Sequence, residues 1–98
     1  MIQIVWVFEA QPGRLAEFER AYGVNGDWAR LFRKAEGYIE TVLLGDSENS
    51  DRFLVIDRWR DLASFEAFKR RHQAAYDELD HHCEGITLRE TRIGMFNA

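Results

Sequence analysis

The sequence predicts an α+β domain of the ferredoxin-like, split βαβ kind, with one extra short helix. Three observations predict it. Four stretches are rich in β-branched and aromatic residues. Helical spacing of apolar residues follows the first and the third of them. The turn between the second and third, GDSENSD, is too short for a crossover and makes those strands antiparallel neighbours.

Residues 2–9, IQIVWVFE, form the first strand, which Pro12-Gly13 stops. Leu15, Phe18 and Tyr22 then recur three and four apart as one face of a helix, and Gly23 closes it. In the short helix that follows, Asp27 is the expected N-cap. Trp28, Leu31, Phe32 and Ala35 form its apolar stripe, so Trp28 reads as a packed first-turn residue rather than an exposed aromatic. Gly37 ends that helix, and YIETVLL, residues 38–44, is the second strand.

The third strand, residues 52–59, has two apolar faces. Arg52, Leu54, Ile56 and Arg58 alternate with Phe53, Val55, Asp57 and Trp59. One face is expected on this chain's helices and the other on a partner's sheet, which predicts a homodimer. A long helix is expected from Asp61 to about His82, with Leu62, Phe65, Phe68, Ala75, Tyr76 and Leu79 inward. Gly85 ends it, and ITLRETRIGMF is the last strand.

All 98 residues are assigned to a single domain, residues 1–98. A chain this short buries only about two thirds of its unfolded surface, and a second copy would cover more. The net charge of -4 supplies no basic footprint for nucleic acid. The lone Cys83 forms no internal disulfide and suits a reducing compartment. MIQIVWVFEA lacks the basic start of a signal peptide, and no run approaches the roughly 18 apolar residues of a membrane span. The expectation is a cytoplasmic protein with no membrane partner.

The aromatic first strand, the Pro-Gly turn, EGYIETVLLGD and above all IDRWRDLASFEAFKRR resemble the antibiotic biosynthesis monooxygenase family. In its members a strand ends in Trp, a short charged turn follows, and a helix opens with an aromatic-x-x-aromatic pair; Trp59, Phe65 and Phe68 match that pattern. The resemblance implies a dimeric α/β barrel with a pocket between sheet and long helix, Trp59 in its wall, and Val55, Phe65 and Phe68 among the substrate-binding positions. It also implies cofactor-independent oxidation of an aromatic quinol or hydroxyanthrone. Three polar positions of the well-studied oxygenase type differ here: its Asn falls at Val55, its Tyr at Phe65 and its His at Leu44. In the haem-degrading branch, the helix Trp falls at Phe68 and the strand-one Asn near Trp6, and the iron-ligating His has no secure counterpart.

Among titratable groups, His72 follows Phe68 by four and Phe65 by seven, which places it on the stripe facing the sheet. A neutral imidazole there can deprotonate a phenol, and an electron-rich phenolate passes an electron to dioxygen without metal or flavin. The plainer role is a histidine hydrogen-bonded at the core edge. Asp57 can orient His72 or bind a substrate hydroxyl, or it can pair with an Arg across the sheet or lie at the dimer seam. Trp59 can position a flat substrate or simply join strand to helix. DHHCE, residues 80–84, has neither zinc spacing nor an H-E-x-x-H helix, so no metal site is expected. Nothing near Cys83 activates its thiol.

Two functions remain open: a cofactor-independent monooxygenase, with His72 and Trp59 catalytic and Asp57, Phe65, Phe68 and Val55 around the substrate, or a non-catalytic ligand-binding or structural dimer.

Overall fold

The computed structural model describes residues 1–98. In chain order it contains β1 (Ile2–Ala10), α1 (Leu15–Tyr22), α2 (Asp27–Phe32), β2 (Tyr38–Gly45), β3 (Arg52–Trp59), α3 (Leu62–Arg71), α4 (Gln73–His82) and β4 (Thr87–Asn97). The strands form one antiparallel sheet in the order β2-β3-β1-β4. This is the α+β, ferredoxin-like architecture.

The two-residue period of the strands decides what the sheet buries. Ile2, Ile4, Phe8 and Ala10 of β1 and Phe53, Val55 and Trp59 of β3 share the helix-covered face and are buried. Phe18 and Tyr22 of α1, Trp28, Leu31 and Phe32 of α2, and Phe68 of α3 complete that core. Much of it is ring against ring: Phe18 lies 4.7 Å from Phe53 and Phe8 lies 4.6 Å from Tyr22. Burying one such side chain stabilises the fold by roughly 1.5–3 kcal/mol.

The other face carries no helix. Its middle is aliphatic, with Val5 and Val42 opposite Ile56, and Val7 and Leu44 opposite Leu54. Charged pairs flank it, Arg58 with Glu40 at 2.7 Å and Arg52 with Asp46 at 3.0 Å. On that same face Leu44 and Phe96 stay about half exposed.

Two expectations are corrected. The long helix is not continuous: His72 leaves helical torsions (φ −116°, ψ 27°) and separates α3 from α4. The hydrogen bonds on each side survive, from His72 N–H to Phe68 O at 2.8 Å and from Tyr76 N–H to His72 O at 2.9 Å. The bend follows from packing, since α3 brings Phe65 and Phe68 to Trp59 whereas α4 brings Tyr76 to Trp28 on α2. At α2 the N-cap is Gly26, not Asp27. A β-carbon at Gly26 would meet backbone atoms of Arg20, Ala21 and Gly23 at 2.7–2.9 Å, so the tight turn takes glycine there. Asp27 becomes the first helical residue and pairs with Arg30.

Gly37 closes the join between β2, β3 and α3. Its φ of 95° lies in the left-handed region, and its carbonyl accepts from Arg60 N–H at 2.7 Å. A β-carbon there would lie 2.5 Å from Ser64 Oγ, and Ser64 is buried with its own N–H donating to the Asp61 cap at 2.8 Å. Gly37→Ala is therefore expected to destabilise by about 1–3 kcal/mol in urea unfolding, from strained torsions and the clash together.

Candidate active site

Seven of the eight elements converge on one pocket between the sheet and the helices, a cavity of about 70 Å³ set in about 520 Å³ of empty space counting the open solvent at its mouth. Its wall is aromatic: Trp6 and Phe8 from β1, Tyr22 from α1, Trp28 and Phe32 from α2, and Tyr76 from α4. The rings brace one another, Trp28 lying 5.0 Å from Tyr76 and 5.8 Å from Phe32. Val55, Thr41 and Asp57 reach it from the sheet, and Asp80 and Glu90 are exposed residues at its edge.

Asp57 is the one acid placed among the apolar walls. It stands opposite Thr41 in the β2–β3 register, and Thr41 Oγ1 donates to its Oδ1 at 2.7 Å. Because the single Thr41 proton goes to Asp57, the Tyr38 hydroxyl, 2.7 Å from Thr41 Oγ1, donates to Thr41. The chain Tyr38–Thr41–Asp57 fixes the carboxyl's orientation. Burial pushes the Asp57 carboxyl up to about 6, only partly offset by the Thr41 hydrogen bond. Tyr76 is also pushed up, first by burial and then by Asp80 and Asp57. Tyr22 is raised by burial, and its hydroxyl donates weakly to Glu90 at 3.4 Å. Trp28 Nε1 is buried beside the Tyr22 hydroxyl and the Cys83 sulfur, with a well-formed hydrogen bond to neither.

Of the residues singled out in the sequence, the structure brings Asp57 and Val55 to this pocket. Asp57 pairs with no arginine and faces away from the helix-free side. Trp59, Phe65 and Phe68 cluster outside the pocket lining: Trp59 is fully buried, 5.3 Å from Phe65 and 5.4 Å from Phe68. His72 is not brought to Asp57. It stacks on Phe68 at 5.3 Å and lines a separate surface groove beside Arg60, Ser64 and Arg71. The reason is the bend at His72, which turns α4 but leaves that side chain at the junction. The remaining wall residues escaped the sequence reading because no short motif joins positions 6, 41, 76 and 90.

The family model that matches this sequence is antibiotic biosynthesis monooxygenase, over residues 1–78. The chain belongs to that family. No curated protein matches it in sequence. Among solved structures it is similar to a variant of SnoaB, a cofactor-independent oxygenase from Streptomyces nogalater, at 20% identity and a TM-score of 0.81, covering 99% of this chain and 91% of that one. It is also similar to PA3566 from Pseudomonas aeruginosa, at 20% identity and a TM-score of 0.64, covering 97% of this chain and 88% of that one. A third similar structure is the heme-degrader MhuD from Mycobacterium tuberculosis with two hemes bound, at 16% identity and a TM-score of 0.70, covering 100% of this chain and 95% of that one. At these identities the likeness establishes the fold.

The residues here do not fit a haem. The pocket lining holds no histidine, cysteine or methionine to ligate iron. Its two phenols, Tyr22 and Tyr76, are both held protonated by their surroundings.

Proposed function

We propose that this protein is a cofactor-independent monooxygenase that oxidises a flat hydroxylated aromatic, of the quinol or hydroxyanthrone type, in the aromatic pocket. The observation that carries this reading is the Asp57 carboxyl, oriented by Thr41 among aromatic walls and poised at about 6. A general base works best with its pKa near the operating pH. Asp57 accepts the phenolic proton, and the resulting phenolate supplies an electron to dioxygen. For a hydroxyanthrone the ring CH2 becomes C=O: one oxygen atom enters the product and the other leaves as water with the two hydrogens. The substrate provides all four electrons, so the balance calls for no outside reductant.

Oxygen uptake with dihydroxynaphthalenes, hydroxyanthrones and simple quinols, without added cofactor, tests it. Uptake well above a protein-free control, and lost in Asp57→Asn, is expected. Rates equal to the control across the panel would leave a ligand-binding or structural protein of the same fold.

The helix-free face supports a homodimer. A second copy would cover the stripe of Val5, Val42, Leu54 and Ile56, and its own charged rim could pair with this one. Ile56→Glu places a charge at the centre of that stripe. In light scattering the parent is expected at twice the 11.5 kDa of one chain and the variant at 11.5 kDa.

A further inference from the structure

The charge around the pocket is one-sided. Its lining includes three carboxylates, Asp57, Asp80 and Glu90, and no lysine, arginine or histidine. Arg92 stands opposite Trp6 in the β1–β4 register but is not part of the lining. The Lys69 ammonium lies 4.5 Å from the Tyr76 ring centroid, also outside the lining. The wall rings present negative π-faces, which attract cations and repel anions.

A second observation indicates how a ligand would be oriented. Asp57 is the one acid buried among the rings, and its carboxyl is held by Thr41 Oγ1, which donates to it at 2.7 Å. A ligand hydroxyl that donates to Asp57 would lay its ring against the aromatic wall.

We infer that the pocket selects by charge, accepting hydroxylated aromatics that are neutral or carry an ammonium and rejecting those that carry a carboxylate. The inference rests on the proposed function in one respect, that this pocket is the substrate site. A ligand carboxylate would stand within reach of three like charges with no cation in the lining itself to offset them. At an effective dielectric near 20, one like charge at several ångströms already weakens binding by about tenfold or more. An ammonium gains from the same acids and from the ring faces.

Three redox-stable probes sharing one ring system separate the cases: 2-naphthol, 6-hydroxy-2-naphthoate and 6-(aminomethyl)-2-naphthol, titrated calorimetrically at pH 7.5 and low salt. The naphthoate is expected to bind at least about tenfold more weakly than 2-naphthol, and the ammonium probe at least as tightly as 2-naphthol. Asp80→Asn, at an exposed position on the pocket's edge, is expected to narrow the naphthoate gap several-fold, as is added salt. Naphthoate binding within twofold of 2-naphthol overturns the charge selection and leaves the pocket as a ligand site. The expected order without oxygen uptake on the quinol panel keeps the selection and removes the oxygenase reading. Binding of none of the three removes both.

Discussion

Asp57→Asn is expected to lower oxygen uptake by about 10²–10⁴-fold and, at neutral pH, to raise the melting temperature. The first effect is the ordinary size of a general-base contribution. Asparagine keeps the shape and still accepts from Thr41 through its Oδ1, so the pocket persists while the proton acceptor is lost. In the parent protein kcat/KM should climb with pH and level off above about 6, the Asp57 value; the variant's residual rate should lack that rise.

The second effect comes from linkage. The folded-state value of about 6 lies above the ordinary 3.8, so between roughly pH 4 and 6 the folded protein holds a proton that the unfolded chain has released. Stability from this group is therefore fully present below pH 4 and is lost as pH rises to 6. Above that the ionised carboxyl burdens the fold by up to about 3 kcal/mol, at about 1.4 kcal/mol per unit. Asparagine never ionises and escapes that burden. Asp46 and Asp61 are held below their usual range by hydrogen bonds, and they act in the opposite sense. The difference between parent and variant isolates Asp57. Activity lost together with stability would instead mark the Thr41–Asp57 bond as a structural tie.

Trp59→Ala is expected to cost about 3–5 kcal/mol in chemical denaturation. Trp59 is fully buried at the end of β3, with Phe32, Tyr38, Phe65 and Phe68 at 5.3–5.5 Å. Removing the indole opens a cavity where the sheet meets α2 and α3. Domains of this size hold only about 5–15 kcal/mol in total, so the alanine variant would sit near the edge of folding. Trp59→Phe is the informative companion. It retains a ring and removes an indole N–H that has no acceptor. A lower melting temperature with an unchanged Kd for 2-naphthol is expected if Trp59 acts as scaffold. A Kd weakened tenfold with stability intact would place it at the ligand.

The strands were legible because alternation with β-branched and aromatic residues survives any tertiary context, and β3 at residues 52–59 coincides with the observed strand. The bend at His72 was not legible: no proline or glycine interrupts the stretch, and its cause lies in two separate packing partners. Asp57 was visible as a polar residue on an apolar face, yet its partner depended on register. Only the observed pairing of Thr41 with Asp57 brings the two side chains within hydrogen-bond distance.

The sequence by itself determined the order of the strands, the two apolar faces of β3 and the family's structural signature around Trp59. These depend on spacing within a single element, where side-chain direction is set by backbone period. The tertiary structure alone decided that Trp6, Tyr22, Thr41, Asp57, Tyr76 and Glu90 share a pocket, that His72 does not, and that no cation lines it. Those facts depend on strand register, on the turn of α4 and on burial. A neighbour dozens of residues away along the chain sets each of them, and a linear pattern carries no record of that distance in space.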